Sequence, residues 1–533
     1  MKRLNTYLSA VIMLFFCISA FVSAKEMEPD EPEIVLPKVF LEVEDVNMED
    51  VSAELPESEG ELQPDISVAL PEEEKLEISD ELFSVPLPSI ESMQTPQEGR
   101  DFFIEGLIGA GSMNHTLGSI SLYKLGTGPR FNVIFEHEGI DGYGYREAGK
   151  GFSSRRDNLE GGFSFVQNGF TWDIKGKYLE QEEGFQNIGN YESITHRFIE
   201  GNAESSIRLA DRFSAKAMVD GGIVSAVLGS RDTPLNQWEF HAAPHVNGKL
   251  ELENLTANLN MIYEYRQSSA SDNNTERQKA SATAAVKAEL PYQLYFDGKA
   301  ALDWEYGRTL LYPFTLALDG SYSNILSYGI EGGYTISAQN NQQLWKEYTF
   351  LSNTELKRAY GWEGNISLQW QVIRGLYLNG SFTYADKQNV LMPENEVNSD
   401  TGLFGYTYEN AKSFSVTTAS EYHWKNILNM GFSYTFNGLD RNVFTAPHIV
   451  NLTADVTNSE DSMGGTLEGT YKIKENLVMP EIGMSGHFRL SDGLLLIMEA
   501  KDMLSPFIVD GRSYWGPYEA PGFELTMKFQ FNI

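Results

Sequence analysis

The sequence predicts an all-β protein, a large antiparallel transmembrane β-barrel of about 22 strands that follows a disordered acidic N-terminal arm. Three observations carry that expectation. Past residue 100, hydrophobicity repeats at every second position. Short polar turns alternate with long loops along most of the chain. Beyond the first 24 residues, no stretch reaches the roughly 18 uninterrupted apolar residues that a membrane-crossing helix needs.

In chain order, residues 1–24 read as an export signal. Lys2 and Arg3 give a positive start, Leu8 to Val22 is almost wholly apolar, and Val22-Ser23-Ala24 offers small residues for a cut after Ala24. The only cysteine, Cys17, falls inside this leader. The bulky Phe16 before it argues against acylation as a lipoprotein. A chain without other cysteines has no disulfide framework and no thiolate metal site.

Residues 25–100 form the predicted arm. They hold 23 acidic residues against 4 basic ones, 9 of the 20 prolines and 2 of the 47 glycines, with Phe40 and Phe83 as their only aromatics. Such a segment repels itself and cannot build a core. Short apolar-plus-proline pieces, such as Ile34-Val35-Leu36-Pro37 and Val85-Pro86-Leu87-Pro88, suit either a spacer or a tail that docks a periplasmic partner by adding to its sheet edge.

Residues 101–533 carry the barrel pattern. At the end of the chain Phe523, Leu525, Met527, Phe529, Phe531 and Ile533 alternate with Glu524, Thr526, Lys528, Gln530 and Asn532. In a strand those sets face opposite sides. Trp172, Ile174 and Tyr178 alternate in the same way with Asp173, Lys175 and Lys177, and similar runs begin at Leu376 and Leu428. Asp173, Lys175, Lys177, Glu524 and Lys528 are therefore candidate lumen-facing residues, either wall or solute contacts. Tight turns are predicted at Asn168-Gly169, Asp211-Arg212, Glu253-Asn254, Arg374-Gly375, Lys425-Asn426 and Asp492-Gly493. Long loops are expected near 139–157, 181–193, 229–236, 268–277, 338–348, 386–412, 437–448 and 504–521. A bilayer with turns on one side and loops on the other produces that alternation. Helical spacing is nearly absent.

Other chemistries find little support. A formal charge of −35 argues against nucleic acid, whose phosphates need clustered cations. His241 and His245 would lie about 13 Å apart along one strand face, too far to share a metal ion. Gly106-Leu107-Ile108-Gly109-Ala110-Gly111 opens no helix and so lacks the geometry of a phosphate loop. No spacing isolates a nucleophile, so the chain reads as a non-enzyme without cofactor or metal.

The stretch Phe102 to Glu200, with His137-Glu138-Gly139 and Asn158-Leu159-Glu160-Gly161-Gly162, resembles the opening of the barrel of TonB-dependent receptor-like outer-membrane proteins. Gly516-Pro517-Tyr518-Glu519-Ala520-Pro521-Gly522 and the closing strand resemble that family's end. Phe529-x-Phe531 is similar to the signal read by the barrel-assembly machinery, although the chain ends in Ile533. The resemblance implies an outer-membrane location, contact with lipid, and import or conduction of a solute. It covers the barrel alone, since residues 25–100 have neither the composition nor the length of the family's plug domain. The lumen is then expected to be filled by folded-in loops such as 386–412, by the arm, or by a separate plug-bearing subunit. The alternative function is a surface adhesin or structural barrel whose loops bind a partner.

Overall fold

In the computed structural model, described residues run from 102 to 532, apart from 127, 230–234, 271–272, 324, 339, 353–355, 426, 441–444, 459–461, 474–478 and 509–511. The leader, the cleavage position Ala24, the arm 25–100 and the terminal Ile533 lie outside the described residues.

Each strand of the barrel pairs antiparallel with the next, from Phe102–Gly111 to Leu494–Lys501, and the last strand, Glu524–Asn532, pairs with both Leu494–Lys501 and Phe102–Gly111. That seam closes a 22-stranded sheet. Closure leaves no strand edge, so every backbone group in lipid finds a partner. The seam is tight at Gly106, where an added Cβ would meet the Phe531 ring at 2.2 Å.

Alternation sets the faces. Ile108 (60% exposed), Ile174, Leu316, Ile366 and Phe432 lie on the outward face, while Asn158, Thr526 and Lys528 on the opposite parity are buried within the barrel. Counting from the Asn168-Gly169 turn, the outward positions of the strand Phe170–Gly184 run Phe170, Trp172, Ile174, Gly176 and Tyr178, then change to Glu180 and Glu182. Nine tilted residues match an apolar band about 25 Å tall. The carboxylates above it belong to an outer rim, where Glu180 pairs with Arg155 and Arg197 and His137 pairs with Asp157.

Connections at one end of the barrel are two to five residues long, and those at the other end reach 22 residues. The six predicted two-residue turns all fall at the short end, Lys425-Asn426 within a three-residue connection. Asn168 and Gly169 take φ of 54° and 79°, the left-handed pair that suits the twist of a hairpin.

Three long-loop expectations come out differently. Segment 268–277 is strand on both sides of 271–272, since the pairing of Leu255–Ala270 with Asn273–Leu290 runs to the tip. Segment 386–412 is mostly strand. Leu376–Val397 and Phe404–Trp424 form a tall hairpin with only 398–403 at its tip, because β pairing continues well beyond the bilayer. Segment 338–348 contains a helix, α1 (Asn341–Glu347), started by the Asn340 side chain accepting from Gln343 N–H. At seven residues it is too short to show a helical period in sequence.

Candidate functional site: a loop-built seal over a polar lumen

Below the mouth, the inner wall divides into two arcs. On the strands from Ser153–Gln167 to Leu294–Glu305, inward charges are largely paired: Lys177 with Glu160 at 2.6 Å, Lys216 with Glu204 at 2.6 Å, and Arg266 with Glu239 at 2.7 Å. On the strands from Phe314–Tyr322 to Met463–Ile473, hydroxyls and amides dominate. They bond across strands, Thr383 to Asn365, Thr417 with Thr435, Asn451 to Ser433, and Thr470 to Asn451, at 3.0–3.2 Å. Asp319, Glu331, Asp455 and Glu468 share this arc's inward parity, and among the described residues they carry no ion pair.

The five candidate residues from the sequence fall into two separate groups. Lys177 pairs with Glu160, while Asp173 and Lys175 stand below it on the same strand face without an ion pair among the described residues. Lys528 pairs with Glu499 at 2.7 Å, and Glu524 lies 3.7 Å from the buried His115. The structure does not bring the two groups together, and no group of three or more His, Cys, Asp or Glu suited to a metal occurs among the described residues.

Toward the long-loop end, the inward positions turn apolar. Lys177 gives way to Leu179. Reading upward, Glu200 gives way to Phe198, His196 and Ile194, and Asp220 gives way to Val224, Ala226 and Leu228. This apolar ring receives the connection 339–357, here called the strap. Trp345 of α1, 1% exposed, packs with Leu179, Phe198, Val224 and Ala226. Lys346 reaches Glu200 at 2.7 Å, and Asn341 donates to Glu239 at 2.9 Å.

A second apolar cluster extends the closure. Leu344, Phe350, Leu351 and Leu356 of the strap join Phe185, Ile194, Leu228, Leu391, Leu403, Phe404 and Tyr518. Tyr518 stacks on Phe350 with ring centroids 3.9 Å apart, and its hydroxyl donates to the Gly402 carbonyl. Only glycine fits there. Gly402 has φ of 74°, and a Cβ would lie 2.7 Å from the Phe185 ring. Gln186 ties the same region to Tyr143 and to the Glu519 backbone. Arg358 anchors the strap's far end, almost fully buried between Asp303 (2.6 Å) and Glu305 (2.8 Å).

Burial controls protonation at this end. His196 is fully enclosed, which pulls its imidazole down to about 3, so the ring is neutral. Burial pushes the Glu183 carboxyl up to about 7, helped by neighbouring Glu182 and opposed by the Ser154 hydroxyl. Sequence reasoning reached this region only through Tyr518 and Glu519, quoted for the resemblance, and through segment 386–412 as a lumen-filling loop, and it missed Trp345, His196, Glu183, Arg358 and the inner apolar ring. The signal was present: Ile223, Val224, Ala226, Val227 and Leu228 are apolar on both parities, which marks a strand end covered inside as well as outside.

No family model matches the sequence, and no curated protein matches it. Solved structures do. A ferric enterobactin receptor (PfeA) mutant from Pseudomonas aeruginosa matches with a TM-score of 0.63 at 11% identity, over 82% of this chain and 81% of that one. The siderophore receptor PirA from Acinetobacter baumannii matches at 0.63 and 9% identity, over 81% and 80%. The FrpB iron transporter from Neisseria meningitidis matches at 0.61 and 10% identity, over 82% and 81%. This chain has the barrel fold of these receptors and this transporter, as the likeness in its sequence implied. The three are receptors or transporters, and none is described as an enzyme.

Proposed function

We propose that this chain is exported, is cut after Ala24, and inserts in the outer membrane as a solute-admitting barrel with the arm 25–100 in the periplasm. The observation that carries the reading is the wall below the seal. A barrel that only anchors loops has no need of an interior arc lined by hydroxyls, amides and carboxylates, whereas a water-filled path does. Asp173, Lys175 and Lys177 belong to the charge-paired arc and Glu524 and Lys528 to the last strand, and we assign all five to the barrel wall, outside the hydroxyl and amide arc. Because Asp319, Glu331, Asp455 and Glu468 lack partner cations, the path favours neutral and cationic solutes over anions.

The sealed mouth lends weight to the alternative of a surface-binding barrel, so conduction has to be measured with the seal removed. In planar bilayers, the mature chain lacking 341–352 should show stepwise conductance, with a reversal potential on the cation-selective side under a salt gradient. Silence would favour the surface-binding barrel, and anion selectivity would reject the solute class. Deleting 25–100 from the same chain then assigns the arm. A further rise in conductance marks an obstruction of the pore, and no change marks a docking tail for a periplasmic partner.

A further inference from the structure

Closing the mouth shuts in polar groups that no described residue satisfies. His196 is 0% exposed, with its ring centroid 5.3 Å from that of Trp345 and 6.2 Å from that of Phe198. Among the described residues, neither ring nitrogen has a hydrogen-bond partner. The neutral ring therefore leaves one donor and one acceptor unmet. Its register partner on the adjoining strand, Gln181, has a buried Oε1 in the same condition. Groups of this kind regain water when a cover lifts, and each weights the equilibrium toward the open form by roughly five-fold to a hundred-fold.

We propose that α1 is a hinged lid over the lumen, and that the unmet groups of His196 and Gln181 keep its closed position marginal.

The movable part is bounded on both sides. C-terminal to α1, Phe350 accepts from Phe404 N–H at 2.8 Å, and Ser352 N–H donates to Phe404 O at 3.0 Å. Further on, Arg358 is locked between Asp303 and Glu305. These segments form a frame. The helix itself holds the wall through the Trp345 ring, through Leu344 in the second apolar cluster, and through two polar contacts, the half-exposed Lys346–Glu200 pair and the buried Asn341–Glu239 hydrogen bond, whose polar groups water takes over once the helix lifts. A swing about Asn340 and Tyr348–Thr349 would uncover the ledge under Trp345 while the frame stays packed. The proposal rests on the solute-admitting reading and assigns the part that opens.

The test is thiol labelling of the full mature chain, whose sequence holds no cysteine after Cys17. Ala226→Cys places a thiol under Trp345. Ile140→Cys places one in a separate buried cluster with Tyr143 and Phe152, away from α1. With a small maleimide, Ala226→Cys should label at least ten-fold faster than Ile140→Cys. Adding His196→Leu and Gln181→Leu should slow Ala226→Cys about ten-fold or more and leave Ile140→Cys unchanged. His196→Phe alone, which keeps the ring contacts, should slow it less. Equal labelling of the two sites, or a rate at Ala226→Cys that both His196 variants leave unchanged, would overturn the lid and make α1 a fixed plug. Labelling reads lid motion and bilayer conductance reads solute passage, so either reading can fail while the other stands.

Discussion

The mouth of the barrel and the lumen beneath it are lined by the same strands with the same alternation, yet they are built by opposite chemistry. Along Phe213–Gly229 the inward face carries Lys216, Met218 and Asp220 low down and Val224, Ala226 and Leu228 high up. The lower tier is polar and has no apolar face that must be covered. The upper tier is hydrophobic on its inner face and must be covered, and the strap, the tall hairpin tip and the loop around Tyr518 cover it. A strand can thus encode two environments in one parity, and the height at which the chemistry changes sets the depth of the seal.

The comparison breaks most severely at Trp345, the largest side chain fully buried in the mouth. Trp345→Ala removes the anchor between α1 and the wall, a change that typically costs about 3–5 kcal/mol in a packed core. Amide exchange in 341–348 should accelerate by roughly a hundred-fold or more, while exchange in the lower halves of the strands stays as in the parent protein. Uniform acceleration through the barrel would mean that mouth and lumen are not separable units.

Next in size is the division of charge in the lumen. Replacing Asp319, Glu331, Asp455 and Glu468 together by the corresponding amides should erase most of the cation preference of the strap-deleted channel, a change of about ten-fold or less in permeability ratio at low salt. Neutralising Lys216 and Glu204 together, a paired couple on the other arc, should leave the preference in place. Equal effects from both sets would place the solute path elsewhere.

The barrel itself was legible in the sequence because its rule is local: Phe170 to Tyr178 shows the outward face within nine residues, and Asn168-Gly169 states its own turn. The seal was legible only as the expectation that loops such as 386–412 fold inward, and its contacts were not, because they are assembled at long range. Trp345 meets Leu179, Phe198 and Val224, all more than a hundred residues away, and Tyr518 meets Gly402. Asn340 is an ordinary loop residue until its side chain caps α1. Segment 386–412, rich in polar residues and tyrosine, suggested a loop, and cross-strand pairing overrode that composition.

Protonation offers a finer probe of the upper tier. Glu183 sits above the apolar band, with a carboxyl raised to about 7 by burial, whereas in a locally opened mouth it returns to its ordinary value near 4.5. The closed form therefore holds the proton more tightly, and its advantage is complete below about 4.5. It declines as pH rises to about 7 and stays low above that. Protease cleavage within 185–192 should speed up by roughly ten-fold from pH 5 to pH 8 after correction for the enzyme's own profile, and Glu183→Gln should flatten that slope. A slope that survives the substitution would assign it to another group.

The smallest expected effect is at Tyr518, where the comparison can be sharpened without disturbing packing. Tyr518→Phe keeps the stack on Phe350 and removes only the hydroxyl that donates to the Gly402 carbonyl. The Gly402 carbonyl is then left to find another donor inside an apolar cluster, at a cost of about 1 kcal/mol, or roughly a five-fold increase in local opening. That increase should appear in the amide exchange of 398–404 and not in α1, because the hairpin tip belongs to the frame and α1 to the moving part. If α1 opened in step with the tip, the mouth would be a single cooperative cap, and the hinge would have to be sought in the tall strands Leu376–Val397 and Phe404–Trp424.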